Sequence, residues 1–328
     1  SNFSNVYIYV QKQTLVSFIG EQYVLSALLS ECVTPPLECP NENITFWLYT
    51  KQNEHEPHEL SVNDSKSLTG APWVKGAPIK ILIHGYTGHK NFSPNTEIRP
   101  AYMATYNYNI ISVDYNPIAR EPCYFEAAEN TELVGMCTAQ LIDELVKVHH
   151  FSLEQFHIIG FSLGGQTAGF IGDYVTCGRL PRITALDPAM PLFVTTDDAK
   201  KVDRGDALFV DVLHTNALEK GKLEASGHAD FYANGGVVQP GCKSTKEKSN
   251  CNHDRAPIYF AESIGTDIGF YATKCYSWVI YMIGITPVSR GCSQTYISHT
   301  QSTPRVRTNL CESQKDLSYV RIEPTTPA

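Results

Sequence analysis

The residues most able to do chemistry gather around Gly160-Phe161-Ser162-Leu163-Gly164, a G-x-S-x-G pentapeptide. A serine hydroxyl is a poor nucleophile at its own pKa and needs a general base, usually His, held in register by an acid. Before the pentapeptide, His157-Ile158-Ile159 is a short apolar run that reads as a buried strand. After it, residues 166–172 are small and apolar, as in a helix packed close to a sheet. Strand, tight turn and helix make this motif a nucleophile elbow, in which the serine sits on a strained turn and its flanking glycines pass too close for a Cβ. By itself the pentapeptide describes an ordinary glycine-rich turn equally well, so its partners decide.

In the elbow arrangement the order along the chain is Ser, acid, His. Asp187 follows Ser162 by 25 residues and ends the apolar run Arg182 to Leu186, where the acid should fall. The downstream histidines are His214, His228, His253 and His299. His214 ends a strand-like run and suits local packing. His228 lies near a turn. His253 sits just beyond a loop flanked by Cys242 and Cys251, ahead of an apolar helix start. The residues alone leave the base open among these. An oxyanion needs two backbone N–H donors. Leu163, next to the nucleophile, offers one, and Tyr86, in the loop after His84-Gly85, offers the other.

These groups require a scaffold that brings strand ends together. Pro78 to Ile83, Ile110 to Tyr115, 156–161, 182–187 and Ala207 to His214 read as strands. Ile98 to Tyr106 reads as helical. Thr131 to His149 carries apolar residues at i, i+3 and i+4, the pattern of a long amphipathic helix. Strands alternating with helices predict an α/β fold whose central sheet is mostly parallel and covered on both faces. Function in such sheets collects at the carboxyl ends of the strands, where Ser162, Asp187 and the loop after Ile83 all fall. Residues 1–38 show no clean period and read as an N-terminal extension of unclear role, followed by one catalytic domain over 39–328.

The chain has 328 residues, a net charge of −8 and 18% charged residues, with no basic patch to suit nucleic acid. Ten cysteines and four sequons (Asn2, Asn43, Asn63 and Asn91) together point to a secreted, oxidised, glycosylated protein. No apolar stretch is long enough for a transmembrane helix. His55 and His58, among glutamates, read as a solvated loop rather than a metal site.

With these residues laid out, the chain resembles the pancreatic-lipase family of animal lipases and phospholipases. The resemblance rests on Ile81 to Tyr86, Ser112 to Tyr115, Gly160 to Gly165, Thr184 to Pro191, Asp211 to Thr215, Gly227 to Gly236, Gln239 to Cys242 and Cys251 to His253, in matching order and spacing from about 40 to about 295. It implies an α/β-hydrolase fold and selects His253 as the base and Asp187 as the acid. It also implies a lid disulfide, Cys242–Cys251, with Cys275–Cys292 further on and Cys39–Cys123 as a weaker pairing. Too few residues follow His253 for the β-sandwich domain of the digestive members, so none is expected. A structural calcium on Asp203 and Asp206, with backbone oxygens near Asp198 and Lys201, is implied on the same ground. A solvated acidic loop is the bland alternative, and the chemistry itself requires no cofactor.

Only eight residues separate Cys242 from Cys251, and the loop from His214 to Gly227 is also short. Trimmed loops resemble the insect-type phospholipase A1 branch, since a smaller apolar rim leaves room for a polar headgroup. The expected activity is therefore hydrolysis of the sn-1 ester of phospholipids at a lipid interface, with peripheral membrane contact. A triacylglycerol or galactolipid lipase is the alternative. A lipase-fold storage or lipid-carrier protein is a third reading, disfavoured because all three triad residues are present.

Overall fold

A computed structural model describes residues 32–243, 245–266, 270, 272–275, 277–282 and 317–320. The expectations for residues 1–31, for Cys292 and for His299 lie outside the described residues.

The strands are β1 (Thr45–Tyr49), β2 (His58–Leu60), β3 (Ile79–Ile83), β4 (Asn109–Asp114), β5 (Phe156–Phe161), β6 (Leu180–Leu186), β7 (Ala207–His214), β8 (Ala229–Tyr232), β9 (Ala272–Cys275) and β10 (Leu317–Val320). They form one sheet in the order β2-β1-β4-β3-β5-β6-β7-β8-β10-β9. From β4 through β8 and on to β10 every pairing is parallel, and the antiparallel pairs lie at the two edges. Apolar runs such as Ile79-Lys80-Ile81-Leu82-Ile83 are buried along their whole length because helices cover both faces. The fold is the α/β-hydrolase architecture that the sequence predicts, and every described strand belongs to this one sheet.

The helices are α1 (Ser65–Thr69), α2 (Asn95–Thr105), α3 (Tyr124–Lys147), α4 (Leu163–Tyr174), α5 (Lys248–Gly265) and α6 (Trp278–Met282). One face of the sheet packs Ile81, Ile158, Ile183 and Val210 against α3 and α4, through Val134, Leu141, Ala168 and Ile171. The opposite face packs Leu82, Ile159, Leu186 and Leu213 against α2 and α5, through Ile98, Tyr102, Phe260 and Ile264. Val279 and Met282 of α6 are exposed.

One expected pairing near the N-terminus does not form. Cys39 bonds Cys137 and Cys32 bonds Cys123, so Cys39–Cys123 does not form. The N-terminal segment runs along α3 from its N-cap, Cys123, towards Cys137, so each cysteine bonds the helix position it passes, and Asn130 Nδ2, between the two, donates to Val33 O at 2.8 Å. Cys177 is a free thiol, pushed up to about 11 by burial and by Asp143, which leaves it little thiolate character.

A polar chain crosses the α2/α5 face within the strands. Arg182 donates through Nε and Nη2 to Asp211 at 2.8 and 2.9 Å. Thr184 Oγ1 donates to Asp211 Oδ1 at 2.8 Å, which leaves it to accept from His157 Nε2 at 2.8 Å. His157 Nδ1 then accepts from Lys80 Nζ at 3.3 Å. All five side chains are buried. Burial, and next the Arg182 charge, push the Lys80 ammonium down to about 7.

Candidate active site

The turn from β5 to α4 carries Ser162 at φ 58°, a backbone setting that a non-glycine residue adopts only under strain. The approach of strand and helix explains the glycines: a Cβ on Gly160 would sit 1.9 Å from Gly164 O, and one on Gly164 would sit 2.3 Å from Ile83 O. Ser162 is half-buried and opens onto a cleft of about 1060 Å³. Leu163, at the first position of α4, has its N–H among the donors that a helix start leaves without intrahelical partners.

Asp187 directly follows β6, also at positive φ (42°), and is fully buried. Its Oδ1 accepts from the N–H groups of Thr215 and Asn216 at 2.8 and 3.0 Å. Its Oδ2 accepts from His253 Nδ1 at 2.5 Å. That bond leaves His253 Nε2 for other work. The His253 ring also packs on Phe161, with centroids 4.6 Å apart. Ser162 and His253 line the same cleft wall. Among the described residues no hydrogen bond joins them, and contacts of this kind tighten when substrate is engaged.

His253 does not sit in a loop. It lies in the second turn of α5, which begins at Lys248 inside the short disulfide loop. Cys242 and Cys251 are bonded, at a Cα–Cα separation of 5.5 Å. The eight residues they enclose thus supply the first turn of the helix that carries the imidazole, which apolar periodicity did not reveal because Lys248 to Asn252 are polar. The rival histidines are accounted for locally. His214 bonds Asp230 Oδ1 at 2.9 Å and Lys222 O at 2.8 Å. His228 Nδ1 accepts from Val210 N.

Tyr86 lines the cleft beside Gly85 and in company with Ser162. The loop owes its position to His84, whose role the sequence did not reveal. His84 Nε2 accepts from Tyr115 N at 3.1 Å, so Nδ1 is the protonated nitrogen and donates to Gly85 O at 2.8 Å. The Tyr115 hydroxyl donates to His84 O at 2.6 Å, and the two rings stack at 4.0 Å. Burial pushes His84 down to about 4, so this anchor stays neutral.

Asp203 and Asp206 do not line the cleft. Asp206 Oδ2 accepts from Asp203 N at 2.8 Å. Burial foremost, with the charges of Asp203 and Asp173, pushes Asp206 up to about 8. Crowded carboxylates of this kind suit a hard, oxygen-seeking cation. The group of three ligand atoms that does converge among the described residues is Cys32, Cys123 and Glu126, and there both sulfurs are used in a disulfide.

The Lipase family profile matches residues 15–304, most of the chain. The chain belongs to the Lipase family. Among the relatives of this lipase chain, pancreatic triacylglycerol lipase of Oryctolagus cuniculus is 34% identical over 276 residues, 77% of this chain and 58% of the relative. Pancreatic lipase-related protein 2 of Cavia porcellus is 33% identical over 242 residues, covering 72% of this chain and 55% of the relative. Lipase member H-A of Xenopus laevis is 34% identical over 251 residues, covering 74% and 53%. The lipase chain thus spans rather more than half the length of the curated relatives it matches.

Proposed function

We propose that this lipase-family chain hydrolyses carboxylic esters of lipids, and in particular the sn-1 ester of phospholipids. The observation that carries the reading is the meeting of Ser162, on its strained turn, with an Asp187-bound His253 in one cleft. Ser162 Oγ attacks the ester carbonyl, and His253 Nε2 takes its proton. Asp187 holds the ring through Nδ1–H and stabilises its charged form. The oxyanion is held by the N–H groups of Leu163 and Tyr86. His253 hands the proton to the leaving alcohol, then activates the water that releases the fatty acid. A calcium held by Asp203 and Asp206 would act on the fold, since both lie away from the cleft.

Two features support a lipid. The cleft wall includes exposed Phe92 and Ile258, which suit an acyl chain or a lipid surface. Three of the eight residues in the disulfide loop, Lys248 to Asn250, already begin α5, and so short a loop suits a cleft that admits a polar headgroup. Extracellular location fits three disulfides. No helix among the described residues is long and apolar enough to cross a membrane, so lipid would be met from the surface. A second reading, triacylglycerol hydrolysis, draws on the names of the pancreatic relatives. Parallel assays of phosphatidylcholine and triacylglycerol, with wild type and Ser162→Ala, separate the two. Phospholipid turnover at the sn-1 ester that the variant lacks supports the first. Turnover of triacylglycerol alone means that the short loops do not set the substrate.

A further inference from the structure

The cleft carries charge that hydrolysis of an ester does not need. Among its described lining residues Lys220 is the sole ammonium or guanidinium, beside the carboxylates of Glu97, Glu247 and Asp254. Lys220 makes no ion pair among the described residues. Its Nζ instead contacts Asn250 Oδ1, and Asn250 Nδ2 donates to Glu247 Oε2 at 2.9 Å. A surface lysine is ordinarily mobile, but the backbone of this one is fastened. Lys220 N donates to Asn216 Oδ1 at 3.2 Å, and Lys220 O accepts from Met190 N at 2.7 Å. The next residue, Gly221, is pressed so tightly on Asp187 that a Cβ would fall 2.3 Å from Oδ1. The turn that supports the acid partner of His253 therefore also delivers an ammonium to the cleft.

Glu97 also lines the cleft, and its Oε2 is buried with no hydrogen-bond partner among the described residues. A buried carboxylate oxygen left without a donor is compensated by a nearby cation, which choline supplies through charge alone and ethanolamine through charge and N–H. Asp254 belongs to the same field: burial and the Glu97 charge raise its carboxyl, while His253 and Lys220 lower it.

We propose that this cleft contains a headgroup subsite for a zwitterionic phospholipid, with Lys220 on the phosphodiester and the Glu97 and Asp254 carboxylates on the cationic end. The assignment rests on the phospholipase reading above and goes beyond it by naming the headgroup class. One ammonium matches the single negative charge of a phosphodiester. The surrounding carboxylates attract choline or ethanolamine and repel a second anionic group.

The test uses the full chain with phosphatidylcholine, phosphatidylglycerol and diacylglycerol of identical acyl chains, each diluted into neutral-detergent micelles. Wild type is compared with Lys220→Met and Lys220→Arg. In Lys220→Met the ratio of phosphatidylcholine to diacylglycerol kcat/KM is expected to fall about tenfold, the factor for losing one partly solvated charge-assisted hydrogen bond. Lys220→Arg keeps most of the ratio because the charge is retained. Wild type prefers phosphatidylcholine to phosphatidylglycerol. An unchanged ratio in Lys220→Met, or an equal loss in the Met and Arg variants, overturns the Lys220 assignment while the phospholipase reading stands. Failure of wild type to cleave phosphatidylcholine removes that reading and the subsite with it. Equal turnover of the two phospholipids overturns the zwitterion clause.

Discussion

The same four strands, β3, β5, β6 and β7, carry two polar networks of opposite character. At their carboxyl ends lie His84, Ser162 and Asp187, with backbone at positive φ for Ser162 and Asp187 and a cleft beside them. Within the strands lie Lys80, His157, Arg182, Thr184 and Asp211, in regular β geometry, sealed under α2 and α5. Both networks contain a buried histidine and a buried aspartate. What separates them is satisfaction. In the inner network every heteroatom contact described has a protein partner, so nothing is left to meet a substrate. At the strand ends, Ser162 Oγ, the second nitrogen of His253 and the N–H groups of Tyr86 and Leu163 make no hydrogen bond among the described residues. Reactive chemistry sits where the sheet stops satisfying its own groups and the backbone must strain to leave it.

Four substitutions sharpen this contrast. The largest effect is expected for Ser162→Ala, which should lower ester turnover by about 10⁴-fold or more while leaving the thermal midpoint within a few degrees. Initial rates and calorimetry on one preparation check both halves, and a variant that keeps its rate removes Ser162 from the chemistry. Asp211→Asn should do the reverse. It leaves the Arg182 charge buried with a neutral partner, costing about 3–5 kcal/mol of stability. Rate per folded molecule should hold, as measured by urea unfolding alongside active-site titration. If instead the rate collapses in folded protein, the two networks are not separate.

His84→Phe lies between the two. Loss of the Gly85 anchor should loosen the Tyr86 donor and lower kcat by about 10²-fold, close to the cost of losing one oxyanion donor. Its pH signature is specific. Folded His84 titrates at about 4, below its ordinary value near 6.5, so the unfolded chain binds more protons between those pH values. Wild type then loses stability as pH falls through that window, and His84→Phe should lose less of it. The thermal midpoint at pH 7, 5.5 and 4.5 measures the difference; parallel curves refute the buried neutral assignment. The smallest effect concerns Asp206. Millimolar calcium should raise the wild-type midpoint by a few degrees and leave Asp206→Asn unmoved, the amount expected for an ion bound only to the folded state. Rates should not respond, because Asp203 and Asp206 do not line the cleft.

Much of this was legible in the chain. A G-x-S-x-G between an apolar run and a small-residue helix allows few other backbones, and Asp187 at the next strand end follows from the order of a parallel sheet. The strand from Ala207 to His214 was read with the bounds the structure gives. Helix α3 begins at Tyr124 rather than Thr131, because its first two turns carry Glu126 and Glu129 among buried alanines and blur the apolar period. Cys39 bonds Cys137 and not Cys123, the partner the family resemblance implied, because matching motifs do not report which turn of a helix a cysteine meets.

Sequence by itself determined the residue types, their order and the sheet that must carry them, since these depend on local periodicity and on what a strand or a turn tolerates. Tertiary structure alone decided that α5 begins inside the disulfide loop, that His84 holds Gly85, and that Lys220 is fastened beside Asp187, while the pairing of His253 rather than His214 with Asp187 was readable only through the family resemblance. The turn of Lys220 meets Asp187, and Asp187 meets His253, across tens of residues of chain, and a contact over such a distance leaves no period or spacing in the chain to be read.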